Sequence, residues 1–99
     1  LEYNKIPVIS FAHDLAKMGV VVGATNRNRV SNEQFSIVSN QLEDWEINLL
    51  HDPQTSGGLL ISVRPDGLSE VMKTLDESGF SQAAVIGHFE KGPPRVKVL

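Results

Sequence analysis

Two short polar segments of the 99-residue sequence carry the residue types that could bind a substrate or a phosphate group. In the later segment, two hydroxyl side chains and an amide precede a pair of glycines. Glycine allows positive φ and the close approach of another group, and N–H groups exposed in such a turn can bind an anion. The residues alone support two interpretations about equally: an anion-binding turn, and a tight turn that only leads into a buried strand. The segment comprises Asp52, Pro53, Gln54, Thr55, Ser56, Gly57 and Gly58.

The earlier segment, residues 23–28, offers a hydroxyl, two amides and a guanidinium within four residues. The guanidinium of Arg27 could hold a phosphate or carboxylate through paired, charge-assisted hydrogen bonds. Asparagine and glycine are also ordinary turn formers, so the residues alone favour a solvated loop here. If the segment does bind a ligand, the candidate residues are Thr25, Arg27 and Asn28.

No catalytic or metal site is predicted. The absence of cysteine excludes disulfides and thiolate chemistry. The three histidines, His13, His51 and His88, are too far apart for the spacing of a helical metal site. No nucleophile lies beside a matching base. Taken strictly, the residues indicate a binding or scaffolding module.

Composition limits the class of protein. A net charge of -3, with scattered basic residues, argues against a nucleic-acid surface. No apolar stretch approaches the roughly 20 residues of a membrane span, and no signal peptide is evident, so we expect a cytoplasmic protein. The length and the 40% hydrophobic content predict one small domain over residues 1–99.

The spacing of apolar residues predicts the elements that must position the two segments. Apolar residues recur at helical spacing in three stretches, and glycines follow two of them. Runs of β-branched and apolar residues indicate strands. The predicted helices cover residues 10–18, 42–50 and 68–78, the predicted strands cover residues 20–22, 59–63, 83–89 and 95–99, and residues 23–32 are predicted as a loop.

The order of these elements predicts the fold class. The last two strands are close in sequence, so we expect them to pair as an antiparallel hairpin. The mixture of helices and strands predicts an α+β domain, with helices packed on one face of a mixed, mostly antiparallel sheet.

Both polar segments resemble motifs of one enzyme family. Residues 52–60 are similar to the D-P-Q-T-S-G-G-L-L run of selenophosphate synthetases (selenide, water dikinases). The earlier segment resembles the family's G-G-T-x-R-N motif, with Ala24 in place of the second glycine. The two motifs also occur in the family's order. The residues that match the earlier motif are Gly23, Thr25, Arg27 and Asn28.

The resemblance implies a parent enzyme that makes selenophosphate, AMP and phosphate from selenide and ATP, with Mg²⁺, for selenocysteine and selenouridine synthesis. Such enzymes are related to aminoimidazole ribonucleotide synthetase and are expected to be homodimers. The chain would be part of the C-terminal domain, and its partner would be the N-terminal ATP-binding domain of the same protein. The family's reactive cysteine or selenocysteine, its lysine and its metal-binding aspartates lie upstream. We therefore expect no cofactor in this piece and no activity from it alone.

Two alternatives remain open at this point. The chain could be a free-standing regulatory or interaction module that binds a small anion. It could also be a fragment of a related ATP-dependent enzyme, such as thiamine-monophosphate kinase or the hydrogenase maturation protein. Within the leading interpretation, the two segments either contact substrate or only pack against the N-terminal domain.

Overall fold

Four α-helices and one small sheet make up the chain in the computed structural model, which describes residues 1–99. Single 3₁₀ turns at Tyr3–Lys5 and Pro65–Gly67 complete the regular structure. No helix has the length and apolar character needed to cross a membrane. The helices are α1 (Ser10–Lys17), α2 (Thr25–Asn32), α3 (Asp44–Leu50) and α4 (Leu68–Glu77), and the strands are β1 (Ser36–Val38) and β2 (Val96–Val98).

The three helices predicted from apolar spacing are confirmed as α1, α3 and α4. Gly19 and Gly79 follow α1 and α4 with φ of +82° and +87°, the left-handed conformation that glycine adopts at helix ends. At the start of α3, the backbone N–H of Glu43 donates to the Glu46 carboxylate at 2.7 Å, as in a capping box. α1 packs against α3, and α2 packs against the same helix.

The predicted loop at residues 23–32 is wrong, because most of it forms α2. Its asparagines and serine have modest helix propensity, so local sequence gives little sign of a helix. The helix is supported instead by non-local contacts with α3, which are described below. Tertiary packing has outweighed the local preference for a turn.

The predicted mostly antiparallel sheet is also wrong. The sheet has two strands, and β1 pairs with β2 in parallel, with Ser36 opposite Val96. The predicted hairpin between residues 83–89 and 95–99 is absent because residues 1–3 lie between its two arms. On one side the N–H of Glu2 donates to Ile86 O at 2.8 Å, and on the other the N–H of Tyr3 donates to Leu99 O at 2.9 Å.

Residues 20–22 and 59–63 do not form the predicted strands either. A run of apolar residues indicates side chains that favour burial, whereas a strand also needs a backbone partner. Buried side chains are few, so the core is small. Its apolar part is Ala16 of α1, together with Tyr3 and Val98 at the sheet.

Candidate functional site

α2 places the earlier motif segment on the surface of α3. Thr25, the first residue of α2, is 1% exposed and faces a small apolar cavity of about 120 Å³ between α1 and α3. Its backbone N–H donates to Val22 O at 3.1 Å. Arg27 is exposed, two residues along the same helix. One predicted site residue is therefore packed inside the fold while its neighbour is free to reach a ligand.

A side-chain hydrogen bond joins the two motif segments. Asn28 Nδ2 donates to the carbonyl oxygen of His51 at 3.0 Å in a partly buried setting. His51 is the residue directly before Asp52, where the later segment begins. The contact connects residues 23 positions apart in the chain. The structure thus brings the end of one predicted segment to the start of the other.

Arg29 adds a second link between α2 and α3. Its Nη1 donates to Asn48 Oδ1 at 3.4 Å, and its Nη2 lies 3.3 Å from Asp44 Oδ1. Both distances are long and the ion pair is exposed, so its contribution to stability is small. Sequence reasoning missed Arg29 because residues 23–32 were predicted as a loop. The contacts of Arg29 with α3 depend on the helical conformation of α2.

His51 anchors the C-terminal end of α3. The residue is only 8% exposed, and its Nδ1 lies 2.7 Å from Ile47 O. A carbonyl oxygen can only accept, so Nδ1 must carry the proton in this bond. The ring is held by its own helix while the backbone carbonyl is held by Asn28. The starting point of the later segment is consequently fixed from two directions.

The later segment itself is open to solvent. All residues from Asp52 to Gly58 are exposed, and they make two backbone hydrogen bonds, from the N–H of Asp52 to Leu49 O at 3.3 Å and from the N–H of Gln54 to Asp52 O at 3.0 Å. A Cβ on Gly57 would lie 2.9 Å from Gln54 Oε1, so glycine lets the amide side chain fold over the backbone. Neither Gly57 nor Gly58 has a positive φ. Their N–H groups make no hydrogen bond and are accessible. The segment nevertheless lacks the left-handed residue that an anion-binding nest contains.

The predicted site residues therefore divide into two groups. Thr25 is buried and Asn28 is partly buried, and both are engaged within the fold. The remaining predicted residues are exposed and make no side-chain hydrogen bond: Arg27, Asp52, Gln54, Thr55, Ser56, Gly57 and Gly58.

The ionisable groups with shifted pKa values lie away from these segments. Burial raises the pKa of Tyr3, and the nearby charge of Glu46 adds to the effect. The Tyr3 hydroxyl is buried without a hydrogen-bond partner. A hydrogen bond from Lys5 lowers the pKa of Glu2, and one from His88 lowers the pKa of Glu90. No group of three or more histidine, aspartate or glutamate side chains could hold a metal ion.

Comparison with known proteins places these segments in a family. The model of the family described as AIR synthase related protein, C-terminal domain, matches residues 4–98. The chain is 42% identical over 98 residues to the selenide, water dikinase of Pseudomonas straminea, and 35% identical over 99 residues to that of Dechloromonas aromatica. The match to the enzyme of the same name from Rhizobium meliloti is 34% over 99 residues.

These matches cover 99% to 100% of this chain but only 28% of the length of each relative. No solved structure matches the chain significantly. The resemblance inferred from the two motifs is confirmed by proteins that match along the whole sequence. The chain belongs to the family of AIR synthase related proteins, as a C-terminal domain of that family.

Proposed function

We propose that the chain is the C-terminal part of a selenide, water dikinase, the enzyme that makes selenophosphate from selenide and ATP. The support comes from relatives of that name, whose alignments cover 99% to 100% of the chain at 42% and 35% identity. The two motif segments are the parts of the chain that resemble the motifs of these enzymes. The hydrogen bond from Asn28 to His51 carries the proposal most directly, because it ties both segments into one surface.

Within this enzyme the exposed residues of the two segments contact substrate or phosphate groups. Arg27 supplies a positive charge and a forked set of donors. Thr55 and Ser56 supply hydroxyls and Gln54 an amide, all free of other side-chain partners. Thr25 and Asn28 act indirectly by holding α2 in place and fixing the start of the later segment.

The rest of the reaction belongs to another part of the protein. ATP and Mg²⁺ are held by an N-terminal domain of the same polypeptide, in a cytoplasmic homodimer. The acidic and histidine side chains of this chain form no cluster that fits a metal ion. A phosphoryl-transfer site also needs groups that neutralise developing charge. We therefore expect the 99 residues alone to be inactive.

Alanine substitution in the longer enzyme tests the role of the exposed residues. Arg27→Ala or Thr55→Ala should lower the rate of selenophosphate formation by about 10-fold or more, as expected when a group that binds the reacting phosphate is lost. The melting temperature should stay unchanged, because both side chains are exposed and unpaired.

Arg64→Ala is the matched control. Arg64 is an exposed arginine that pairs only with Asp66, two residues away, at 2.8 Å. The variant Arg64→Ala should leave the rate of selenophosphate formation and the melting temperature unchanged. If Arg27→Ala and Thr55→Ala lower activity and melting temperature together, the segments only pack against the N-terminal domain. The proposed contact with substrate would then be wrong.

A further inference from the structure

Residues 55–63 form no helix or strand, and none of their backbone N–H or C=O groups bonds to another protein group. Backbone polar groups are strong donors and acceptors that nearly always find partners within a folded protein. Here the backbone is unpaired along nine consecutive residues. This is an unusual amount of free backbone for a chain of this size, and it forms a template on which another extended segment can pair.

Three consecutive side chains of the same stretch are apolar and exposed. Leu59 is 90% exposed, Leu60 is 75% exposed and Ile61 is 49% exposed. Successive residues of a paired strand point to opposite faces, so pairing would place Leu59 and Ile61 on one face and Leu60 on the other. Extended segments with two apolar faces are normally covered on both sides.

The stretch also lacks the features that protect a strand edge in solvent. Natural edges carry charged residues, especially lysine, or an interior proline. No charged residue or proline occurs from Gln54 to Val63. An edge without such protection is a site of pairing with another chain or segment.

We propose that residues 55–63 are a docking surface for an extended segment from the remaining part of the longer dikinase, which pairs with it backbone to backbone. This inference rests on the proposed function. The occupant is identified by its chemistry: main-chain donors and acceptors at strand spacing, with aliphatic side chains. Its source follows from the relatives, whose chains extend far beyond the 28% that this chain matches.

A second copy of the chain fits the surface less well. Two copies paired edge to edge about a two-fold axis would cover one edge of each stretch. The other edge would stay open. A larger polypeptide can supply cover for both edges.

The docking has a consequence for the motif. The later motif segment begins at Asp52, directly after His51, which the fold already fixes, and its glycines lead directly into residues 59–63. Pairing of residues 59–63 would fix the far end as well. The exposed Gln54, Thr55 and Ser56 would then be held between two anchored points.

Amide hydrogen exchange tests the proposal. The exchange rates of residues 59–63 are measured by NMR in the 99-residue chain and in the longer protein that contains it. We expect exchange at least about 100-fold slower in the longer protein, because protection follows the free energy of local opening. Equal rates would overturn the proposal. Protection in the 99-residue chain that grows with concentration would identify a second copy as the occupant, which also overturns it.

A pair of variants of the longer protein provides a second measurement. Leu60→Lys should lower its melting temperature, while Val30→Lys, at a helical site that is 67% exposed, should not. Equal effects of the two would contradict the docking surface. A longer protein that makes selenophosphate while these amides stay unprotected refutes the docking alone. One with protected amides and no selenophosphate supports the docking and contradicts the proposed function.

Discussion

The hydrogen bond between Asn28 and His51 is the contact whose removal is most informative. In Asn28→Ala the His51 carbonyl, which has no other protein partner, loses its donor. A neutral hydrogen bond contributes about 1 kcal/mol, and a partly buried acceptor left without a partner raises the cost toward about 2 kcal/mol. For a domain of this size, each 1 kcal/mol corresponds to roughly 4–8 °C in melting temperature.

Alanine also changes the helix propensity of α2, by about half a kcal/mol in favour of the variant. Asn26→Ala is the matched control, since Asn26 lies in the same helix, is exposed and makes no side-chain hydrogen bond. Urea unfolding of both variants cancels the propensity term. We expect Asn28→Ala to be less stable than Asn26→Ala by about 1–2 kcal/mol. Equal stability of the two variants would refute the claim that this bond joins the two segments.

Two further predictions concern the part of the fold around residues 1–3. Gly87→Ala should lower the free energy of unfolding by about 1–3 kcal/mol, the range for overpacking. Its Cβ would lie 2.9 Å from Leu1 Cα, whereas Gly92→Ala meets nothing within 4 Å and should be neutral. Denaturant titration checks both, and similar effects would contradict the placement of residues 1–3. Because Lys5 lowers the pKa of Glu2, the stability gained from this pair is present above the ordinary value of 4.5 and is lost as pH falls through the lowered pKa. Glu2→Gln should therefore reduce the loss of stability in acid. Thermal melts at several pH values check this, and the prediction is wrong if the melting temperatures of the variant and of the unsubstituted chain depend on pH in the same way.

Local features of the fold could be predicted from the sequence. The helices α1 and α4 follow from apolar residues on one face and from the glycines that end them, Gly19 and Gly79. These signals act within a few residues of the chain. The motif segments could also be identified, because they are contiguous and their residue types are distinctive.

Features that depend on distant contacts could not be predicted. Nothing near residues 83–99 indicates that residues 1–3 will separate the two arms of the expected hairpin. The helix α2 depends on bonds from Asn28 and Arg29 to α3, which its own composition does not reveal. The role of His51 as an anchor follows from that same packing. In each case a non-local partner outweighed the local pattern.

The most direct test of the account is selenophosphate formation, followed by ³¹P NMR after ATP, Mg²⁺ and selenide are added. We expect the longer protein that contains residues 1–99 to form selenophosphate, and the 99-residue chain alone to form none. Turnover by the isolated chain, free of contaminating kinase, or a folded longer protein that forms no selenophosphate, would contradict the proposal that this chain is the C-terminal part of a selenide, water dikinase.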